Sequence, residues 1–152
     1  MKIYLSGPMR GYKQFNFPMF DKAAAKLTKA GFHVANPAAH DRQAFPDIET
    51  WEGFESGDTE KCPKFILPES LAWDFAQILS SDAIVLLPGW EKSSGAKAER
   101  FVAESVGKMI FLYSDTQPAG LIVDTRPRMK YPELNMSWEV GGSLYDVYKD
   151  VM

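Results

Sequence analysis

Residues 82–87, Asp-Ala-Ile-Val-Leu-Leu, run apolar without alternation after the first residue. A strand half-exposed to water alternates, whereas one buried on both faces does not. The run therefore predicts a central strand of a parallel sheet with helices on both sides, ending at Pro88-Gly89-Trp90. The segments around it fit that frame. Lys2-Ile3-Tyr4-Leu5 reads as a strand broken by Ser6-Gly7-Pro8. A helix follows, with Asn16 as cap, Pro18 in its first turn, Phe20, Ala24 and Leu27 on one face, and Gly31 as its stop. Phe32 to Ala35 is a second strand, closed by Asn36-Pro37. Ser70 caps a second helix with the stripe Leu71, Phe75, Ile78 and Leu79. A third helix spans about Gly95 to Val106, and Lys108 to Tyr113 is a further strand. Strand and helix in strict alternation predict an α/β fold: a doubly wound, flavodoxin- or Rossmann-like parallel sheet with helices on both faces.

With 152 residues the chain is expected to be one domain, 1–152. Residues 41–61 hold seven acids, two bases and three glycine or proline breaks. They place a loop or weakly helical insertion, a candidate lid, within 41–68. From residue 114 to 152 the pattern decays into an irregular tail, expected to cover the sheet edge or to reach an oligomer partner.

Composition removes several classes of function. Cys62 is the only cysteine, and His33 and His40 are the only histidines. No internal disulfide or thiolate cluster can form within one chain, and two histidines argue against a histidine-rich zinc site. A carboxylate site is left open, but no calcium-loop or metalloprotease pattern is present, and no hydrolytic triad motif surrounds either histidine. We expect no metal and no cofactor. The net charge of −3 argues against a nucleic acid polymer, whose binding needs a basic surface. No apolar run reaches membrane length and no leader pattern opens the chain, which predicts a soluble cytoplasmic protein without a membrane partner.

Open parallel sheets bind ligands beyond the carboxyl ends of their strands. The residues expected to meet there are Ser6 to Gly11, Asn36 to Asp41, and Pro88 to Gly95. In the first turn, Ser6, Gly7, Pro8, Met9, Arg10 and Gly11 expose backbone N–H groups beside a planar guanidinium suited to phosphate. In the last, Ser93, Ser94 and Gly95 open a helix whose free N–H groups and dipole favour an anion. The bland alternative is that both are capping turns with Arg10 facing solvent. Gly89 and Trp90 follow the central strand, and Trp90 could stack on a ring or serve only in packing.

Glu99 shares a helix face with Val102, Ala103 and Val106 and is the one charge on it. In a cleft near the helix start, where N–H groups favour its ionised form, it could attack a sugar carbon or order a water. A phase error of one position would instead leave it on the surface, paired with Arg100 or Lys97. Asp74 borders the stripe of the second helix, as a second carboxylate of the cleft or as an acid placed for the helix dipole. Tyr4, a strand tyrosine, needs a partner for its hydroxyl when buried.

The stretches IYLSGPMRG, WDFAQILSSDAIVLLPGW and SSGAKAERFVAESVGKMIFLY, in this order, resemble the nucleoside 2-deoxyribosyltransferase superfamily, including its 2'-deoxynucleoside 5'-phosphate N-hydrolase branch. The resemblance covers most of residues 2–113. It implies Glu99 as nucleophile on the anomeric carbon, Asp74 engaging the sugar or protonating the base, and Tyr4 positioning the nucleophile. It implies Ser93 at a 5'-phosphate, and Pro8 stands where that branch has serine. It further implies a homodimer or larger homo-oligomer whose neighbour completes the site, with Asn135 and Ser137 as the expected contributors. The function implied is hydrolysis of the N-glycosidic bond of 2'-deoxyribonucleoside 5'-monophosphates without a cofactor. The alternatives are base exchange by a transferase and a binding module without turnover.

Overall fold

The computed structural model describes residues 1–62 and 67–127. Its sheet has five strands: β1 (Lys2–Ser6), β2 (His33–Ala35), β3 (Ala83–Leu86), β4 (Met109–Tyr113) and β5 (Leu121–Val123), in the order β2-β1-β3-β4-β5. The first four pair in parallel, and β5 adds an antiparallel edge. That edge strand lies in the stretch expected to be irregular. Gly120, at φ +77°, and the bond from Ser114 N–H to Gly120 O (2.9 Å) close a turn that folds the chain back on β4.

The helices are α1 (Phe17–Lys29), α2 (Pro37–Ala44), α3 (Leu67–Ser80) and α4 (Ser94–Ser105). The expected doubly wound α/β arrangement is present. The chain leaves β1 toward β2 on one side and passes from β3 to β4 on the other, so the winding reverses between β1 and β3.

Period-two geometry divides the core. Ile3 and Leu5 of β1 and Ala83 and Val85 of β3 pack with Phe17, Phe20, Ala23 and Leu27 of α1. Tyr4, Ile84 and Leu86 face the other way, onto Ile78 of α3 and Ala96 and Ala103 of α4. All four residues of β3 are buried, as an uninterrupted apolar run requires.

Several local expectations are corrected. Asn16 sits left-handed (φ 60°) and makes no cap bond; its Nδ2 donates to Pro8 O at 2.9 Å. Residues expected as a turn after β2 form α2, because the Asn36 side chain accepts from Ala38 N–H (3.0 Å) and Pro37 suits a first turn. Helix α3 starts at Leu67, so Ser70 lies inside it rather than at its cap. Pro68 and Glu69 suit that earlier first turn. Leu79 is 54% exposed and leaves the stripe, since it stands about 100° round the helix from Ile78. Val106 ends α4 and is exposed.

The acidic segment after α2 packs against the body of the fold. Ile48, Trp51, Phe54 and Cys62 are buried, and the Phe54 ring lies 6.1 Å from Phe15 and 5.6 Å from Phe17. Gly57 lets its backbone meet the first turn: Gly11 N–H donates to Gly57 O at 2.8 Å, and a Cβ on Gly57 would come 2.2 Å from Tyr12 O. Among the described residues no helix is long and apolar enough to cross a membrane.

Candidate active site

A cavity of about 300 Å³ opens where the winding reverses, beyond the carboxyl ends of β1 and β3. Its floor follows from strand phase. Tyr4 and Ser6 lie on the β1 face that looks toward α3 and α4, and so meet Asp74 and Glu99. The Ser6 hydroxyl donates to Oε2 of Glu99. The Tyr4 hydroxyl is wholly buried and interacts with both carboxyl groups. Trp73 backs the tyrosine ring at 6.5 Å and stacks on His40 at 3.9 Å.

Glu99 is 8% exposed, so the alternative in which it lies on the surface does not hold. Arg100 turns away from it to Glu104 (2.8 Å) and Asp124 (3.4 Å). The expectation that helix N–H groups keep Glu99 ionised is also overturned. Burial, with Asp74 close by, pushes its carboxyl up to about 8, against the opposing bonds from Ser6 and Tyr4. Glu99 stands in the second turn of α4, where the terminal dipole has faded. Burial likewise raises Asp74 to about 6. Tyr4 is raised well above its ordinary value, by burial first and then by the two carboxylates, and stays a neutral donor.

The rim carries the opposite charge. Gly7, Pro8, Met9 and Arg10 from the first turn, and Lys92, Ser93, Ser94 and Gly95 before and within α4, line the opening. The Ser93 side chain caps α4 by accepting from Ala96 N–H (3.2 Å), which leaves its own O–H free to point elsewhere. Arg10 is exposed, and among the described residues no ion pair holds it. Gly7 has no room for a side chain, since a Cβ there would lie 2.8 Å from Cβ of Leu87. Gly11, at φ +78°, supports the turn from behind through its bond to Gly57.

Gly89 and Trp90 do not join the cavity wall. Trp90 is buried with the guanidinium groups of Arg100 (4.9 Å) and Arg126 (4.8 Å) over its ring, so no ligand can stack there. Gly89, at φ +87°, packs against Tyr12 and Pro8. Asn135 and Ser137 lie outside the described residues.

At the other end of the cavity Asp41 of α2 belongs to a segment expected there, Asn36 to Asp41. Ile48, Trp51, Cys62 and Phe15, which line the same end, do not. Phe15 is placed by three successive left-handed residues, Gln14, Phe15 and Asn16 (φ 53°, 49° and 60°). Side-chain and backbone bonds from Gln14 to Glu55 (2.9 and 3.4 Å) hold this costly conformation. Among the described residues no three His, Cys, Asp or Glu side chains are grouped to hold a metal ion.

A family model described as a domain of unknown function (DUF4406) matches residues 1–112. No curated protein matches the chain. The solved structure of a 2-deoxyribosyltransferase from Bacillus psychrosaccharolyticus aligns with a TM-score of 0.52. The alignment covers 82% of this chain and 77% of that one at 21% identity, a distant relationship of fold.

Proposed function

The chain belongs to the DUF4406 family, and we propose that it cleaves the N-glycosidic bond of 2'-deoxynucleosides or their 5'-phosphates, with Glu99 taking the deoxyribosyl group. The observation that carries this reading is the contact of one buried hydroxyl, Tyr4, with both Asp74 and Glu99. A buried carboxyl and a half-buried one that raise each other's proton affinity share a proton rather than both ionising near neutrality. The tyrosine between them gives that proton a path: Glu99 hands a proton to the Tyr4 oxygen as Tyr4 releases its own to Asp74. This leaves an ionised nucleophile beside a protonated acid.

Glu99 then attacks C1', the C1'–N bond breaks, and its electron pair stays on the departing base, which takes the proton of Asp74. An acceptor base attacking C1' frees the Glu99 carboxylate and returns a proton to Asp74, completing an exchange. The fold shared with a 2-deoxyribosyltransferase favours this outcome. Water in place of the acceptor yields free deoxyribose or its 5-phosphate. A specific feature favours the hydrolytic, monophosphate reading: Arg10, Lys92 and the Ser93–Gly95 turn ring the opening with donors for a phosphate.

Incubation with deoxynucleosides and their 5'-monophosphates, with and without a free acceptor base, tests the proposal. We expect released base without acceptor or a new nucleoside with it, and loss of both in Glu99→Ala. Binding without either product would leave only a binding module.

A further inference from the structure

The end of the cavity away from α4 holds a carboxyl that this reaction does not use. Asp41 is half-buried on the second turn of α2 and lines the cavity beside Asp74. Among the described residues no hydrogen-bond donor reaches its side chain, and its charged neighbour is Asp74, of like sign. A half-buried carboxyl without a donor is costly, and what enters the cavity can supply the missing partner. Topology says which part of a ligand that is. α2 follows β2 on one side of β1, α4 follows β3 on the other, and Glu99 reaches the cavity from α4. With C1' at Glu99 and the 5' side toward Arg10 and α4, the base extends toward α2, between the Ile48 and Trp51 side chains and Asp41.

We propose that Asp41 is a specificity-determining residue that accepts an N–H from an exocyclic amino group, so that aminated bases such as adenine and cytosine are preferred over hypoxanthine and uracil. The inference rests on the deoxyribosyl reading above. An amino group donates to a carboxyl oxygen whatever its protonation, whereas an oxo group there needs the carboxyl to be protonated. Burial and Asp74 raise Asp41 to about 7, so the discrimination sharpens as pH rises through neutrality. The groups that line the cavity around Asp41 are Asp74 on α3, Glu99 on α4, Arg10 and Tyr12 near the first turn, Lys92, and the Cys62 thiol. Asp74 and Glu99 also change charge in this range, but they act alike on both members of an amino/oxo pair. The ratio within a pair therefore isolates Asp41.

The test measures kcat/KM for the adenine/hypoxanthine and cytosine/uracil pairs of deoxynucleosides, at pH 6 and pH 8. Calorimetric binding of the four free bases reads recognition without turnover. Wild type should favour the amino member by roughly ten- to a hundred-fold at pH 8, and less at pH 6. Asp41→Leu should remove the preference. Asp41→Asn, whose amide can present either a donor or an acceptor, should bring the ratio close to one while keeping the side chain's shape. A wild-type ratio near one, or a ratio unchanged in both variants, overturns the proposal. Amino-selective binding without turnover of any substrate would sink the deoxyribosyl reading and keep the role of Asp41; turnover without amino preference would do the reverse. Neither binding nor turnover overturns both.

Discussion

The hydroxyl of Ser6 donates to Oε2 of Glu99 across 93 residues of chain, tying the end of β1 to the second turn of α4. This bond favours the ionised carboxyl and opposes the burial that raises it. Ser6→Ala should therefore push Glu99 higher still. The fall in kcat/KM at alkaline pH should move to higher pH, and turnover at pH 7 should drop about tenfold as the form with Glu99 ionised becomes rarer, the scale of one hydrogen bond to a charged group. A variant with an unshifted profile would show that Ser6 merely packs.

The carboxyl pair sets the whole pH profile. With Asp74 near 6 and Glu99 near 8, the singly protonated pair prevails between those values. Below about 6 both carboxyls are protonated and no nucleophile is left; above about 8 both are ionised and no acid is left. We expect a bell-shaped kcat/KM with its optimum between these limits. Tyr4→Phe should lower kcat while leaving the protein folded, because it removes the hydroxyl that joins the two groups. A profile flat from pH 5 to 9 would rule out the shared proton.

Much of this floor was legible in the sequence because two periodicities converge on it. Alternation in Lys2–Ser6 puts Tyr4 and Ser6 on one face, and the 3.6-residue repeat puts Glu99 in line with Ala103. Where the sequence misled, the cause was a contact from far along the chain. Nothing near Trp90 announces that Arg100 and Arg126 will cover its ring, since Arg126 arrives only after β5. Asp41 lay within a turn expected to converge on the cleft, but α2 is short and its apolar residues are one proline and three alanines, so no stripe marked its inward side. Local capping rules also gave way. Asn16 has the right identity for a cap, yet the left-handed turn carrying Phe15 sends its side chain to Pro8 O instead.

The raised Glu99 carboxyl makes a separate prediction about stability. Its folded value lies above its ordinary one, so folding is favoured while it stays protonated, and that contribution is lost as pH rises toward about 8. Glu99→Gln never ionises and can still accept from Ser6. It should match wild type in Tm near pH 4 and exceed it progressively up to about pH 8, by an amount on the order of a few kcal/mol at most. Activity should disappear as stability rises, the usual tension at a strained site. Thermal melts from pH 4 to 9 decide the matter, and a constant difference between the two proteins would mean that Glu99 is not held against its charge.

Arg10 separates the two kinds of substrate. It stands exposed on the rim beside the α4 N-terminus, on a turn kept close to the cavity by Gly7 and braced by the Gly11–Gly57 bond. A guanidinium there can meet a 5'-phosphate through two parallel N–H bonds, with part of the gain offset by desolvation. One such charged contact is worth roughly 1.5–3 kcal/mol, or about ten- to a hundred-fold in catalytic efficiency. Arg10→Ala should lose that factor on a deoxynucleoside 5'-monophosphate and little on the free deoxynucleoside, which has no phosphate to miss. Comparing kcat/KM for both substrates in both proteins cancels any general damage to the turn. Equal loss on the two substrates would make Arg10 a support for the turn or the sugar. A wild type that prefers the free nucleoside would discard the monophosphate and leave base exchange as the reaction.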